Sequence, residues 1–450
     1  MARAMKQSTA PSIHSAPSRE FEGRVKGACY LRTRMHDAAF RRQVASLYER
    51  SPFYREKLRV AGFASADGIG LERLAELPFT EKDELRASQA AHPPLGAHLG
   101  VEMEALARIY STSGTSGVPL YIPLTKSDVD DWRAIGRATY SANGLKAGER
   151  VVTTYGAGPF VAGASLHAFE AIGVVHIPVG VGNTDRLLAA VERLKPQALA
   201  CTPSFAMHIA EVAAARGVSL EPIERIIVGG EPGGGEEAFR RKLEAAYGCR
   251  VFEIMGIGDI AASLWGECPE QAGMHFSGEG IVHVELIEPE SGRPVPMDKV
   301  GNEGAEGELV YTHLRREAAP LLRFRSRDHA RIWTSPCKCG RTSPRVRLFG
   351  RTDDMLIVRG VNVFPSAVRE VVARFMPRVT GAILIRPRVR GVKQDPPLPV
   401  LVEGDAALAE PIAKEIRSTL LFTAEVRMVE PRSLPRSDYK SKLVDYEAGT

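Results

Sequence analysis

Cysteine is scarce in this chain. Six thiols, Cys29, Cys201, Cys249, Cys268, Cys337 and Cys339, are spread over 450 residues, too few for a scaffold held by disulfides. No run of apolar residues reaches the roughly 18 needed for a membrane span, and no secretory apolar segment opens the sequence. Charge of one sign is also missing. Lys and Arg number 59 against 54 Asp and Glu, a formal net charge of +5, which gives no reason to expect nucleic acid as a partner. A reducing cytoplasm is the expected compartment. Residues 1–20 are rich in Ser, Pro and Ala and carry no acid before Glu20. That bias suits a frayed tail, and a transit peptide shares it.

What is present is ordinary globular sequence, 44% hydrophobic and 25% charged, with 42 glycines and 30 prolines marking many turns. Phe40, Val44, Leu47 and Tyr48 form one apolar helix face, closed by Ser51-Pro52. Thr80, followed by Asp83 and Glu84, reads as the start of another helix. From about residue 150, short apolar strands (151–155, 174–178, 225–229) alternate with helices, the pattern of a parallel sheet with covered faces. Residues 281–287, 308–312 and 381–386 read as later strands, and Pro365 opens a helix with Val368, Val371, Val372 and Phe375 on one face. The expected class is α/β. Its expected parts are a tail at 1–35, a large domain at 36–352 and a small α+β domain at 353–450. The alternation of Leu322, Phe324 and Ser326 with Arg323, Arg325 and Arg327 predicts a strand with a solvated arginine face rather than a nucleic-acid site.

The densest chemical signal is Ser111-Thr112-Ser113-Gly114-Thr115-Ser116-Gly117, followed by Val118-Pro119. Glycine lets backbone N–H groups approach an anion, and hydroxyls add donors, so the segment suits a loop around a polyphosphate. No lysine follows Gly117, so it is not the usual nucleotide loop. Elsewhere, Cys337-x-Cys339 sits in a turn, and Cys268 and His275 have six residues between them. Three thiolates and an imidazole are a suitable tetrahedral zinc set if the two turns meet.

The hydroxyl-rich loop resembles the phosphate loop of the adenylate-forming superfamily of acyl-CoA synthetases and adenylation enzymes. Four more motifs follow in the superfamily's order: Gly229-Gly230-Glu231-Pro232, Met255-Gly256-Ile257-Gly258-Asp259, Phe324-Arg325-Ser326-Arg327-Asp328 and Gly350-Arg351-Thr352-Asp353-Asp354. Residues 51–58, 267–276, 337–346 and 350–366 resemble the phenylacetate–CoA ligase subgroup, and the likeness runs from about 36 to 444. It implies two half-reactions. A carboxylate attacks the α-phosphate of ATP, releasing pyrophosphate; a thiol then attacks the acyl carbon, releasing AMP.

The resemblance also implies roles. Ser111 to Gly117 would hold the β- and γ-phosphates. Gly230, Glu231, Pro232, Met255 and Gly256 would flank the adenine. Asp328 would take the ribose hydroxyls, and Arg351 would touch the nucleotide. Asp259 would help hold Mg²⁺. It stands where the superfamily has Glu, and Met255 where it has Tyr. Lys440 would neutralise charge during adenylation, with Tyr439 before it in place of the usual glycine. Asp353 would be the hinge of the small domain. Tyr155, Phe160, His167 and Gly230 would line a pocket for an aryl acid. Some relatives carry zinc where Cys268, His275, Cys337 and Cys339 stand, and here it would be structural. CoA is the expected acceptor, with a carrier-protein thiol or an amine as the alternative. No nucleic acid or membrane partner is implied, and the chain would be a monomer or homodimer.

Overall fold

The computed structural model describes residues 19–112, 119–156, 161–180, 182–359, 361–389, 391–435 and 443–446; the side chains of 19–34 and of Asn362 are outside that description. An eleven-stranded sheet forms the frame. Its parallel half runs, in spatial order, Val175–Pro178, Arg150–Thr153, Ala198–Cys201, Arg225–Val228 and Arg250–Ile257. Successive side chains on these strands point to opposite faces, and each face feeds its own core. Val152, Leu199, Ile226 and Val228 pack with the helices Thr184–Leu194, Pro203–Arg216 and Glu237–Tyr247. Val151, Ala198, Ala200 and Ile227 pack with Lys126–Ala142 and Ser165–Ile172. Burial on both faces explains why these strands read as continuous apolar runs.

The sheet continues antiparallel through Ala261–Glu267, Met274–Phe276, Arg345–Arg351, Phe324–Trp333, Ala305–His313 and Val282–Ile287. The α/β class and the placing of the sequence-read strands hold, with ends shifted by a few residues. The first helix spans Arg19–Arg50, with Phe40, Val44 and Leu47 buried against Tyr54, Leu58 and Leu314. Ser51 then caps the next helix, its Oγ accepting from the Tyr54 N–H at 3.3 Å.

Two sequence expectations need correction. Thr80 does not start a helix: Glu81 caps Lys82–Ala91 through a capping box with Glu84. Thr80 is drawn into a bridge with Phe324, and its hydroxyl donates to the Leu322 carbonyl at 2.6 Å. The arginine face of the Asp328 strand is not solvated. Arg323 binds Glu285 at 3.1 Å, Arg325 binds Glu308 at 2.7 Å and Arg327 binds Glu81 at 2.7 Å. Alternation identifies the strand, but it cannot reveal that acids from other elements cover its charged side.

Beyond Arg351 the chain forms a separate core. Strands Val379–Ile385, Leu398–Gly404 and Ala424–Val429 make a small sheet, packed by Pro365–Ala373 and Ala409–Leu420 through Val368, Val372, Ile412 and Ile416. Several contacts seat this unit on the large one. Gly350 adopts φ +147°, and a Cβ there would lie 3.1 Å from both Phe364 and Ser366, so only glycine fits without displacement. Phe364 stacks on His329 with centroids 5.1 Å apart. Beside them Arg369 grips Glu236 with two hydrogen bonds of 2.6 and 3.1 Å, both side chains under a tenth exposed.

Candidate active centre and metal site

Parallel strands place ligands at their carboxyl ends, and the motifs at 229–232 and 255–259 collect there. Gly229 and Gly230 leave strand Arg225–Val228, and Tyr155 follows Arg150–Thr153, its hydroxyl donating to the Cys201 carbonyl at 3.3 Å. Gly230 has φ +92°. Glu231 accepts the Ser204 N–H at 2.8 Å, which pins the loop to the start of a helix.

Met255 and Gly256 close strand Arg250–Ile257, and residues 258–260 turn into Ala261–Glu267. A Cβ on Gly256 would fall 1.8 Å from the Ala262 carbonyl, so the hairpin irregularity between Met255 and Ile257 requires glycine there. The turn holds Asp259, 6% exposed. Its Oδ2 accepts from Lys82 Nζ at 2.8 Å, and its Oδ1 has no hydrogen-bond partner. A buried carboxylate oxygen without a donor is costly. The atom therefore suits a hard cation such as Mg²⁺, which takes oxygen ligands.

The base of the hydroxyl loop adjoins this turn. Ser111 pairs with Tyr121, and Thr112 N–H donates to the Leu120 carbonyl at 2.9 Å. A Cβ on Gly258 would lie 3.6 Å from Thr112 Cγ2. Ser113 to Gly117 lie outside the described residues, as do Phe160 and Lys440.

On the antiparallel side, Asp328 and Arg351 face each other in register, 3.9 Å apart at their charged atoms. The Asp328 backbone N–H donates to Ser326 Oγ at 3.1 Å. Its neighbours Arg325 and Arg327 are drawn to Glu308 and Glu81 instead. Arg351 forks onto Asp353 at 2.6 and 2.8 Å. Burial would lower its pKa, but the hydrogen bonds it donates to Asp353 and the charge of Asp328 hold it above the ordinary value. Thr352 N–H donates to the Arg327 carbonyl at 2.7 Å, tying the segment before Asp353 to the Asp328 strand. His167, on helix Ser165–Ile172, meets Glu170 at 3.4 Å through Nδ1 and leaves a buried Nε2 without a partner.

The four metal-ligating candidates come together. Pairing of Met274–Phe276 with both Ala261–Glu267 and Arg345–Arg351 carries Cys268 and His275 to the Cys337–Cys339 turn. All four donor atoms lie within 4.8 Å of one another. Cys268 and Cys337 sulfurs are 3.8 Å apart, and Cys339 Sγ is 3.5 Å from His275 Nε2. A tetrahedral zinc with ordinary bond lengths needs edges of about 3.8 Å for S–S and about 3.6 Å for S–N. Burial pushes the Cys268 thiol up to about 12 and the His275 imidazole down to about 4. Histidine is thus in its ligating neutral form. Ser343 Oγ sits 3.4 Å from His275 Nδ1, where it can fix the tautomer.

Residues 360–446 match the model of the AMP-binding enzyme C-terminal domain. The phenylacetate–coenzyme A ligase of Thermus thermophilus is 34% identical over 430 residues, 90% of this chain and 94% of that one. The chain belongs to the phenylacetate–coenzyme A ligase family. It is an AMP-forming acid–CoA ligase by that membership, acting through adenylation and then thioester formation. A crystal structure of 2-hydroxyisobutyryl-CoA ligase in the postadenylation state, with R3-HIB-AMP, aligns with a TM-score of 0.81 at 25% identity, over 99% of this chain and 95% of that one. The same enzyme with 2-HIB-AMP and CoA in the thioesterification state aligns at 0.68, with 26% identity and coverage of 97% and 95%.

Sequence reasoning in this family setting missed Lys82 and Glu81. Both stood in a segment read only as a helix start. Lys82 lies 177 residues from Asp259, and no local pattern could pair them. Glu236 and Arg369 were missed for the same reason, being 133 residues apart. Among the described residues, no helix is long and apolar enough to cross a membrane.

Proposed function

We propose that this chain activates an aryl carboxylic acid with ATP and passes the acyl group to CoA. The observation that carries the reading is Asp259, buried at the carboxyl edge of the sheet, with one oxygen on Lys82 and the other without a hydrogen-bond partner, in a turn whose Gly258 adjoins Thr112. In this reading the loop from Ser111 to Gly117 receives the β- and γ-phosphates. Gly230, Glu231, Pro232, Met255 and Gly256 flank the adenine, Asp328 accepts from the ribose, and Arg351 orients the nucleotide. Mg²⁺, when bound, draws negative charge from the phosphates. Asp259 Oδ1 would hold it. Lys440 offsets charge on the transferring phosphoryl group while the substrate carboxylate attacks and pyrophosphate leaves.

Tyr155, Phe160, His167 and Gly230 form the acyl pocket. Tyr155 is already fixed by its bond to Cys201, so it offers a rigid ring face. Asp353 is the hinge. The higher TM-score with the postadenylation state supports a pose of the small domain that serves the first half-reaction. Cys268, His275, Cys337 and Cys339 hold one structural zinc, since four protein donors leave no open position.

The test is product identification with Mg-ATP, CoA and a panel of phenylacetates, benzoates and short hydroxy acids. Acyl-CoA and AMP from an aryl acid are expected. Turnover confined to short hydroxy acids would overturn the aryl assignment. Pyrophosphate release with no CoA thioester would point to another acceptor.

A further inference from the structure

Asp259 is held from an unexpected direction. Lys82 is the first residue of helix Lys82–Ala91, and both residues before it are tied to the Asp328 strand. Thr80 bridges Phe324, and its Oγ1 lies 3.1 Å from the Tyr54 hydroxyl. Glu81 binds Arg327. Lys82 is therefore presented by an anchored backbone and is no stray surface lysine. Its ammonium lies 2.8 Å from Asp259 Oδ2.

We infer that Lys82 is a positioning residue that sets how tightly Asp259 holds its divalent cation. It aims Oδ1 by occupying Oδ2, and its charge offsets that of the carboxylate. This inference rests on the reading of Asp259 as the cation-holding residue. A lone buried carboxylate attracts a divalent ion strongly, and a unit positive charge within a few ångströms cancels much of that attraction. The ion arrives with ATP and must leave with pyrophosphate. A neutral Lys82–Asp259 pair places one oxygen correctly without retaining the ion afterwards. The turn between Arg250–Ile257 and Ala261–Glu267 still carries Asp259 when Lys82 is neutralised, so loss of the charge outweighs loss of the aim.

The experiment titrates Mn²⁺ into the full chain saturated with α,β-methylene-ATP, followed by electron paramagnetic resonance. Lys82→Met should bind Mn²⁺ about fivefold tighter or more, and Lys82→Arg should stay within about twofold of the parent. Lys82→Gln should repeat the tightening should the Met variant not fold. Asp259→Asn should weaken binding about fivefold or more. Unchanged or weaker Mn²⁺ binding in folded Lys82→Met would overturn the inference. So would weaker binding of the nucleotide analogue with Mn²⁺ affinity unmoved, because Lys82 would then contact phosphate itself. Asp259→Asn binding Mn²⁺ as the parent does would overturn the reading of Asp259 beneath it.

Discussion

Two centres lie along the same sheet, and they are finished to different degrees. At the Cys/His centre four donors lie within 4.8 Å of one another, with Ser343 placed behind His275. At the Asp259 centre one carboxylate oxygen is paired and the other is left bare. A closed donor set stabilises what surrounds it. An open one can exchange its partner during a reaction. The difference teaches where chemistry can occur in this molecule, and it separates residues that hold the fold from residues that act on substrate.

The strongest way to break the comparison is Asp259→Asn. Acid-dependent ATP–pyrophosphate exchange should fall by about a hundredfold or more, with the melting temperature little changed. Exchange near the parent rate would remove Asp259 from the centre. Cys337→Ser should do the converse. One zinc per chain, by elemental analysis, should drop to well below one, and the melting temperature should fall by several degrees or more. Exchange per folded molecule should be retained. A zinc-free parent protein that melts normally would show that the closed centre stabilises nothing.

A third change tests the contact between the two units. Arg369→Met leaves Glu236 buried and uncompensated, a defect that costs about 3–5 kcal/mol. The small domain should leave its observed pose, seen as a larger radius by small-angle scattering and as faster proteolysis near residues 352–355. Pairing Arg369→Met with Glu236→Leu should restore much of the loss. An unchanged scattering profile for the single variant would deny that this pair holds the pose.

The smallest effect concerns Glu253, on the strand that leads to Asp259. Burial first, and then the charge of Glu267, push its carboxyl up to about 7 from 4.5. The folded chain therefore binds this proton more tightly than the unfolded chain does. Its contribution to stability is present below about pH 4.5 and is lost as pH rises through about 7. Glu253→Gln should raise the melting temperature at pH 8, and the gain should shrink by pH 5. A gain that is equal at both values would contradict the assigned shift.

Much of this was legible from residue types and order. Alternating apolar segments gave the parallel strands because both faces of that half are buried. The Cys and His positions gave the metal set because few other arrangements use three thiols and an imidazole. Asp328 and Arg351 stood in ordered motifs and prove to be cross-strand partners. What was hidden depended on pairing over long sequence distance. Lys82 looked like the opening of a helix, and Arg323 looked solvated. A charge in sequence does not name its counter-charge, and the acids that cover Arg323, Arg325 and Arg327 come from three different elements.

The most direct measurement is ATP–pyrophosphate exchange by the zinc-loaded parent protein, with each acid of the panel in turn and then with CoA added. The account predicts exchange that requires an aryl acid, and AMP release that CoA accelerates. Folded protein that exchanges no pyrophosphate with any acid of the panel would contradict it.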